Sequence, residues 1–401
     1  MWQEIKNIYH LIVAFVANVW YGFPSKKLIV IGVTGTDGKT TTVNLIYHIL
    51  KNVGHEASMI SSVGAVINGR KYDVGFHVTT PSSWEVQKFL AKAKGFLVLE
   101  VTSHALDQYR VWGIDFAVGV LTNVTHEHLD YHKTYENYVL TKARLLQNAR
   151  VGIVNKDDES YEYISKLKTQ KSKIQLKSKK FITYGMSKDA DINPQKFLFK
   201  TKLIGEFNRY NILATIAACK ELGVSDKDIR RGIENFKLPI GRAEIVHENE
   251  FTVMIDFAHT PNAIEQILRS VRKEVKGRII HVFGSAGKRD YQKRPKMGEV
   301  SARYADVVVL TAEDPRGEPV EKIISEIESG IKNNELWKKK KNLLKIPNRQ
   351  EAINTAVKMA KKGDLVLLTG KSHERSMNYG RGEEPWSEHE AVENALRLRL
   401  G

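Results

Sequence analysis

The stretch IGVTGTDGKTTT, residues 31–42, follows the apolar run Leu28-Ile29-Val30 and leads into the helical pattern VNLIYHILKNV. A β-branched strand, a glycine-rich turn and a helix opening on Lys-Thr form the context in which a phosphate loop works. Glycines let backbone N–H groups approach phosphate oxygens, and a helix N-terminus favours negative charge. In such a loop Lys39 reaches the terminal phosphates and the Thr40 hydroxyl binds magnesium. The spacing is unusual. The ordinary loop places a glycine five residues before the one preceding the lysine; here that position is Val33, and the glycines are Gly32, Gly35 and Gly38. A glycine turn that holds nothing is the alternative, and the flanking strand and helix weigh against it.

Six more runs share this rhythm of a short apolar strand, a polar or glycine-rich tip and a helical pattern. They are GFLVLEVTSH, FAVGVLTNVTHEH, FTVMIDFAHT, GRIIHVFGSAGKR, ADVVVLTAEDPR and GDLVLLTGKSHE. The pattern predicts a parallel β/α architecture, in which ligands sit beyond the carboxyl ends of the strands. A domain boundary is expected near NFKLPIGRAE, residues 235–244. The lysine-rich segments 166–180 and 338–341 read as solvated faces, with contact to an acidic partner as the lesser alternative.

A chain of 401 residues favours more than one domain. The single cysteine, Cys219, excludes a disulfide framework and a multi-cysteine zinc site, and suits the reducing cytoplasm. Lys and Arg outnumber Asp and Glu by 62 to 46, a formal +16 that suits anionic partners without choosing among them. The apolar segment Trp2 to Phe23 is shorter than the about 20 uninterrupted apolar residues a spanning helix needs, and no signal-peptide cleavage pattern follows it. A packed or interfacial helix is expected over residues 1–26.

Candidate magnesium partners lie at two other strand ends. Glu100 closes LVLE inside an apolar run, where an unpaired carboxylate costs several kcal/mol, so a cation or strong donors should face it. THEHLD, residues 125–130, offers Glu127, His128 and Asp130. An ordinary core histidine and a salt-bridged surface lysine are the plainer readings of His128 and of Lys142.

The joint order of GTDGKTTT, TTP (79–81), EVTSHALDQYR (100–110), TNVTHEHLDYHKTYENY (122–138), GEFNRYN (205–211), GRAE (241–244), DFAHTPNA (256–263) and GKSHE (370–374) resembles the Mur ligases, most closely the MurE group. The resemblance runs from about residue 27 to the C-terminus. It implies an α/β fold: a P-loop-type central domain (27–238) with a parallel sheet flanked by helices, then a Rossmann-like C-terminal domain (239–401). The phosphate loop of this family reads GTNGKT without the farther glycine, which accounts for Val33. Asp37 for the family's asparagine is a small departure.

The resemblance also implies an activity: ATP-dependent amide-bond formation through an acyl phosphate, with Mg2+, on a UDP-N-acetylmuramoyl-dipeptide-like substrate and an amino acid. Gly35, Thr36, Asp37, Gly38, Lys39, Thr40 and Thr41 match the ATP loop; Asn208, Asn211, Arg242, Asp256 and His259 match further ATP-site positions. Thr40, Glu100 and His128 match metal-site positions, and Lys142 matches the family's carbamylated lysine. Thr79, Thr80, Thr102, Ser103, Gln108 and Arg110 match positions holding the muramoyl peptide. In the amino acid pocket the family's DNPR is here Glu313-Asp314-Pro315-Arg316, joined by Gly370 and Glu374. Retention of Arg316 favours an amino acid with a second carboxylate, diaminopimelate first, because a guanidinium grips a carboxylate in bidentate fashion. A surface ion pair of Arg316 with Glu318 is the plainer alternative.

The front of the chain departs from the family, whose N-terminal domain grips the uridine end of the substrate. Residues 2–23 are therefore expected to cover surface or to lie on a membrane. A monomer without nucleic-acid partners is expected. Folylpolyglutamate synthase-like activity and a non-catalytic nucleotide-binding regulator stand as alternatives; TTP and EVTSHALDQYR weigh against the first, and Lys39, Glu100, His128 and Lys142 together weigh against the second.

Overall fold

The computed structural model describes residues 2–75, 79–125, 127–169, 180–332 and 342–400. The chain forms two compact units, Met1–Thr125 with His132–Leu203 and Phe207–Lys237, and His126–Tyr131 with Ile204–Glu206 and Leu238–Gly401. Most of the two lysine-rich segments, at 170–179 and 333–341, lies outside the described residues.

The strands of the first unit are β1 (Ile29–Thr34), β2 (Ala57–Ser61), β3 (Gly64–Ile67), β4 (Arg70–Tyr72), β5 (Phe96–Glu100), β6 (Phe116–Leu121), β7 (Ala149–Asn155) and β8 (Lys180–Tyr184). They form one sheet in the order β4-β3-β2-β5-β1-β6-β7-β8. β1 runs parallel to both β5 and β6, and only the β2–β3 and β3–β4 pairings are antiparallel. After β1 the chain crosses to β2, returns to β5, then moves to β6 on the other side. β1 thus sits at a topological switch point, where open α/β sheets hold ligands. Its last five residues are all buried, as expected of a strand covered on both faces.

The helices are α1 (Trp2–Trp20), α2 (Lys39–Asn52), α3 (Ser83–Lys92), α4 (Ser103–Asp107), α5 (Leu129–His132), α6 (Tyr135–Gln147), α7 (Ser160–Thr169), α8 (Glu206–Glu221) and α9 (Asp226–Asn235). Their starts obey simple capping chemistry. Thr102 accepts from the Ala105 N–H at 3.1 Å and Thr134 from the Asn137 N–H at 3.1 Å. Leu97, Leu99, Val101, Leu106 and Phe116 belong to one apolar core that seats the strands beneath the site.

The second unit carries β9 (Glu244–Glu248), β10 (Thr252–Asp256), β11 (Ile279–Phe283), β12 (Val307–Leu310), β13 (Leu343–Lys345) and β14 (Leu365–Thr369), in the order β13-β12-β11-β14-β10-β9. All pairings in this sheet are parallel except that of β9. Helices α10 (Pro261–Arg272), α11 (Lys293–Tyr304), α12 (Val320–Lys332), α13 (Arg349–Met359) and α14 (Glu388–Leu400) accompany the sheet. The expectation of two α/β modules is met, and all seven runs singled out in the sequence are strands.

Candidate active site

The turn after β1 is held by backbone and side chains rather than by glycine freedom alone. Gly38 has φ +83, and a Cβ there would collide with the Asn211 amide; one on Gly35 would collide with the Thr122 hydroxyl. Asn123 accepts from the Asp37 N–H at 2.9 Å, and Thr122 donates to the Asp37 carbonyl at 2.6 Å. The Thr36 hydroxyl accepts from the Thr125 N–H at 3.0 Å. The Lys39 ammonium folds over the turn to the Thr36 carbonyl at 2.7 Å. Thr41 is buried in the first turn of α2.

Thr40 and Glu100 meet, as the sequence suggested. The buried Glu100 carboxylate accepts from the Thr40 hydroxyl at 3.0 Å and from the Ser62 N–H at 3.0 Å, and the Ser62 and Thr40 hydroxyls are 2.9 Å apart. Three oxygen-bearing groups thus converge at the carboxyl ends of β1, β2 and β5. Oxygen donors of this kind suit magnesium. Asn208 and Asn211 are buried on α8, their amides 3.3 Å apart.

Lys142 is buried and donates to the Gly35 carbonyl at 2.6 Å, with its ammonium 4.4 Å from the Tyr138 ring centre. The surface salt bridge expected on general grounds is therefore not its environment. His132, which the sequence reading passed over, stacks on Tyr138 at 4.9 Å and meets Ser103 Oγ at 3.0 Å. Burial, then the charges of His104 and Lys142, push its pKa down to about 4, so it is a neutral ring at pH 7.

The residues assigned to the peptide substrate form one cluster. Thr80 donates to the Glu100 carbonyl at 2.9 Å and accepts from the Thr102 N–H at 3.0 Å. Arg110 holds the Thr80 carbonyl at 2.9 Å and forks onto Gln108 Oε1 at 3.0 and 2.7 Å. Thr79 is half-buried beside Thr80.

In the second unit the tips of β12 and β14 are drawn together by Arg349. This fully buried guanidinium donates to the carbonyls of Ala312 and Thr369, at 3.0 and 2.9 Å, and forks onto the buried Glu388. His281, buried on β11, spans Ser301 Oγ and Thr369 Oγ1 at 2.8 and 3.0 Å; burial, then Arg349, hold its pKa down to about 3.

Between these tips lies Glu313. It is 7% exposed, its Oε2 has no hydrogen-bond partner among the described residues, and Gly370 packs against it with no room for a Cβ. Burial pushes the Glu313 carboxyl up, against the pull of Lys293, His259 and Arg349. Asp314 accepts from buried Lys371 at 3.1 Å and from the Asn378 N–H at 3.0 Å, and Lys371 also reaches Glu374 at 2.7 Å. Arg316 has φ +52, an unusual conformation for a side-chain-bearing residue, and lies 3.8 Å from Asp314. Glu318 instead forks onto buried Arg294 at 3.0 and 2.9 Å. The plain ion pair of Arg316 with Glu318 is thus not what forms.

At the end of β10, Asp256 accepts from the Ala243 and Ala258 N–H groups, each at 2.7 Å, and Arg242 stacks 4.7 Å from the Phe257 ring. His259 meets Glu127 at 3.2 Å, while Lys293 donates to the His259 carbonyl at 2.8 Å. Burial opposes ionisation of Glu127, but His128, His259 and Lys293 outweigh it and hold the carboxyl well below its ordinary range. Segment 126–131 is grouped with the second unit, and His128 lies 3.7 Å from Glu127. His126 and the Asp130 side chain lie outside what is described. Ser62, His132, Arg349 and Lys293 were not found from sequence; Ser62 alone carried a signal, as a polar residue one past a buried strand.

Two family models match this chain, the Mur ligase middle domain over residues 33–219 and the Mur ligase glutamate ligase domain over residues 241–372. The chain belongs to the Mur ligase family. Two curated relatives are named UDP-N-acetylmuramoyl-L-alanyl-D-glutamate--2,6-diaminopimelate ligase. The one from Aquifex aeolicus is 38% identical and covers 95% of this chain and 80% of its own length. That from Clostridium acetobutylicum is 36% identical, covering 94% and 80%. A solved structure with the same activity in its name superposes with a TM-score of 0.58 at 28% identity, over 93% of this Mur ligase and 79% of that chain. The enzyme is a ligase of the MurE kind.

Proposed function

We propose that this Mur ligase joins diaminopimelate to the glutamate carboxyl of a UDP-N-acetylmuramoyl-L-alanyl-D-glutamate substrate, at the expense of ATP, as a cytoplasmic monomer. The observation that carries the nucleotide half is the contact of Thr40 with the buried Glu100 beside a phosphate loop. Thr40 and Glu100, with a carbamylated Lys142, would hold Mg2+, which would neutralise phosphate charge; His128 is assigned to the metal by the family motif alone. Gly35 to Thr41 bind the phosphates through N–H groups and the Lys39 ammonium, with Asn208 and Asn211 in the same unit; Arg242, Asp256 and His259, in the second unit, are assigned to the nucleotide by the family motifs alone. Thr79, Thr80, Thr102, Ser103, Gln108 and Arg110 orient the peptide so that its carboxylate meets the terminal phosphoryl group in line. The amine of the incoming amino acid then displaces phosphate from the acyl phosphate.

The amino acid half rests on the second unit. Arg316 supplies the fork for a distal carboxylate, and the Glu313 oxygen, unpartnered among the described residues, is an acceptor for an ammonium group. Asp314, Gly370 and Glu374 shape the same pocket. The test is mass spectrometry of products from ATP, the UDP-linked dipeptide and a panel of amino acids. Diaminopimelate should give the main adduct. An adduct with lysine alone overturns the specificity, and ATP turnover without any adduct overturns the ligase reading of this site.

A further inference from the structure

Helix α1 has two apolar sides, and the fold uses one. On the inner side Ala14, Ala17 and Asn18 are fully buried, and Asn18 donates to the Ala14 and Trp112 carbonyls at 2.9 and 2.8 Å. On the opposite side Ile8, Ile12, Phe15, Val16, Val19 and Trp20 are each between 46% and 75% exposed. Their spacing places them on one stripe of the helix. Trp84 of α3 prolongs it, its ring 6.2 Å from that of Trp20. A contiguous exposed stripe of this kind marks an interaction surface.

Charge says what covers it. No Asp or Glu occurs between Ile5 and Thr36, whereas Lys6, Lys26 and Lys27 do, all three exposed; Lys88 stands exposed one turn beyond Trp84. A second copy of a chain with formal charge +16 would bring these same cations together, while an anionic surface complements them. Among the described residues no helix is long and apolar enough to cross a membrane. We propose that this face of α1 lies in the headgroup boundary of an anionic lipid bilayer, a peripheral contact with Trp20 at the interface. The proposal stands apart from the ligase reading.

The test is flotation of the intact chain with vesicles of phosphatidylcholine alone, or with a third of phosphatidylglycerol. Recovery on the anionic vesicles should exceed that on neutral ones by about tenfold or more, and should fall at high salt. Ile12→Ser/Phe15→Ser/Val19→Ser replaces only half-exposed side chains; it should keep the native circular dichroism spectrum and stay in solution. Lys26→Gln and Lys27→Gln should each weaken partition by about fivefold. Equal recovery in solution with both vesicles overturns the proposal. So does flotation unaffected by the triple serine variant, or a dimer in sedimentation that this variant dissolves without any flotation.

Discussion

The tip of β1 and the tip of β12 are both carboxyl ends of buried parallel strands, yet they manage charge in opposite ways. At β1, three charged groups already have an oxygen or N–H partner: Lys39 on the Thr36 carbonyl, Lys142 on the Gly35 carbonyl, Glu100 between Thr40 and the Ser62 N–H. At β12, Glu313 keeps a buried oxygen without a partner among the described residues, and Arg316 holds Asp314 only at 3.8 Å from a left-handed backbone. An unpaired buried acceptor has an energetic cost of about 1–3 kcal/mol, which a ligand amine can relieve. The first tip therefore suits a task common to a whole family. The second suits discrimination between one amino acid and another.

The comparison breaks first at Lys39. Lys39→Ala should lower amino-acid-dependent phosphate release by about 10²–10³-fold with an unchanged melting temperature, because this half-buried ammonium supports no core. Lys142→Ala should cripple turnover and also lower the melting temperature, since that chain is buried. Short carboxylates without bicarbonate should restore part of its activity; no rescue would remove the carbamate reading. On the other tip, Arg316→Ala should raise KM for diaminopimelate by about 10–100-fold while KM for ATP holds, read from steady-state kinetics with each substrate varied.

A smaller effect separates the second unit by pH. His281 has a pKa of about 3 when folded against an ordinary 6.5, so the unfolded chain binds the extra proton between those values. Stability should therefore fall as pH drops below 6.5, by about 1.4 kcal/mol per unit from this group. Urea titrations of the wild type and of His281→Gln should show a flatter pH slope in the variant. Smallest is Asp37→Asn, which removes one negative charge beside the phosphate loop and should lower KM for ATP by about a few fold.

Strands with loaded tips were legible because parallel burial writes a continuous apolar run and function writes the polar cluster after it. β2, β3, β4, β7, β8, β9 and β13 escaped; among them GAVI, RKY and EIVHE are short, half-exposed and antiparallel, with no such tip. The Thr40–Glu100 pair was legible from neighbouring strand ends. Arg349 was not, because an arginine opening a helix looks like surface until the Ala312 and Thr369 carbonyls close on it. His128 shows another limit, since motif order could not reveal that segment 126–131 is grouped with the second unit.

The most direct measurement labels the peptide's reacting carboxylate with heavy oxygen and follows the label during turnover with ATP and diaminopimelate. If the carboxylate takes the phosphoryl group, every amide formed should leave one heavy oxygen in the released phosphate. Unlabelled phosphate would mean that water, and not the peptide, receives the phosphoryl group.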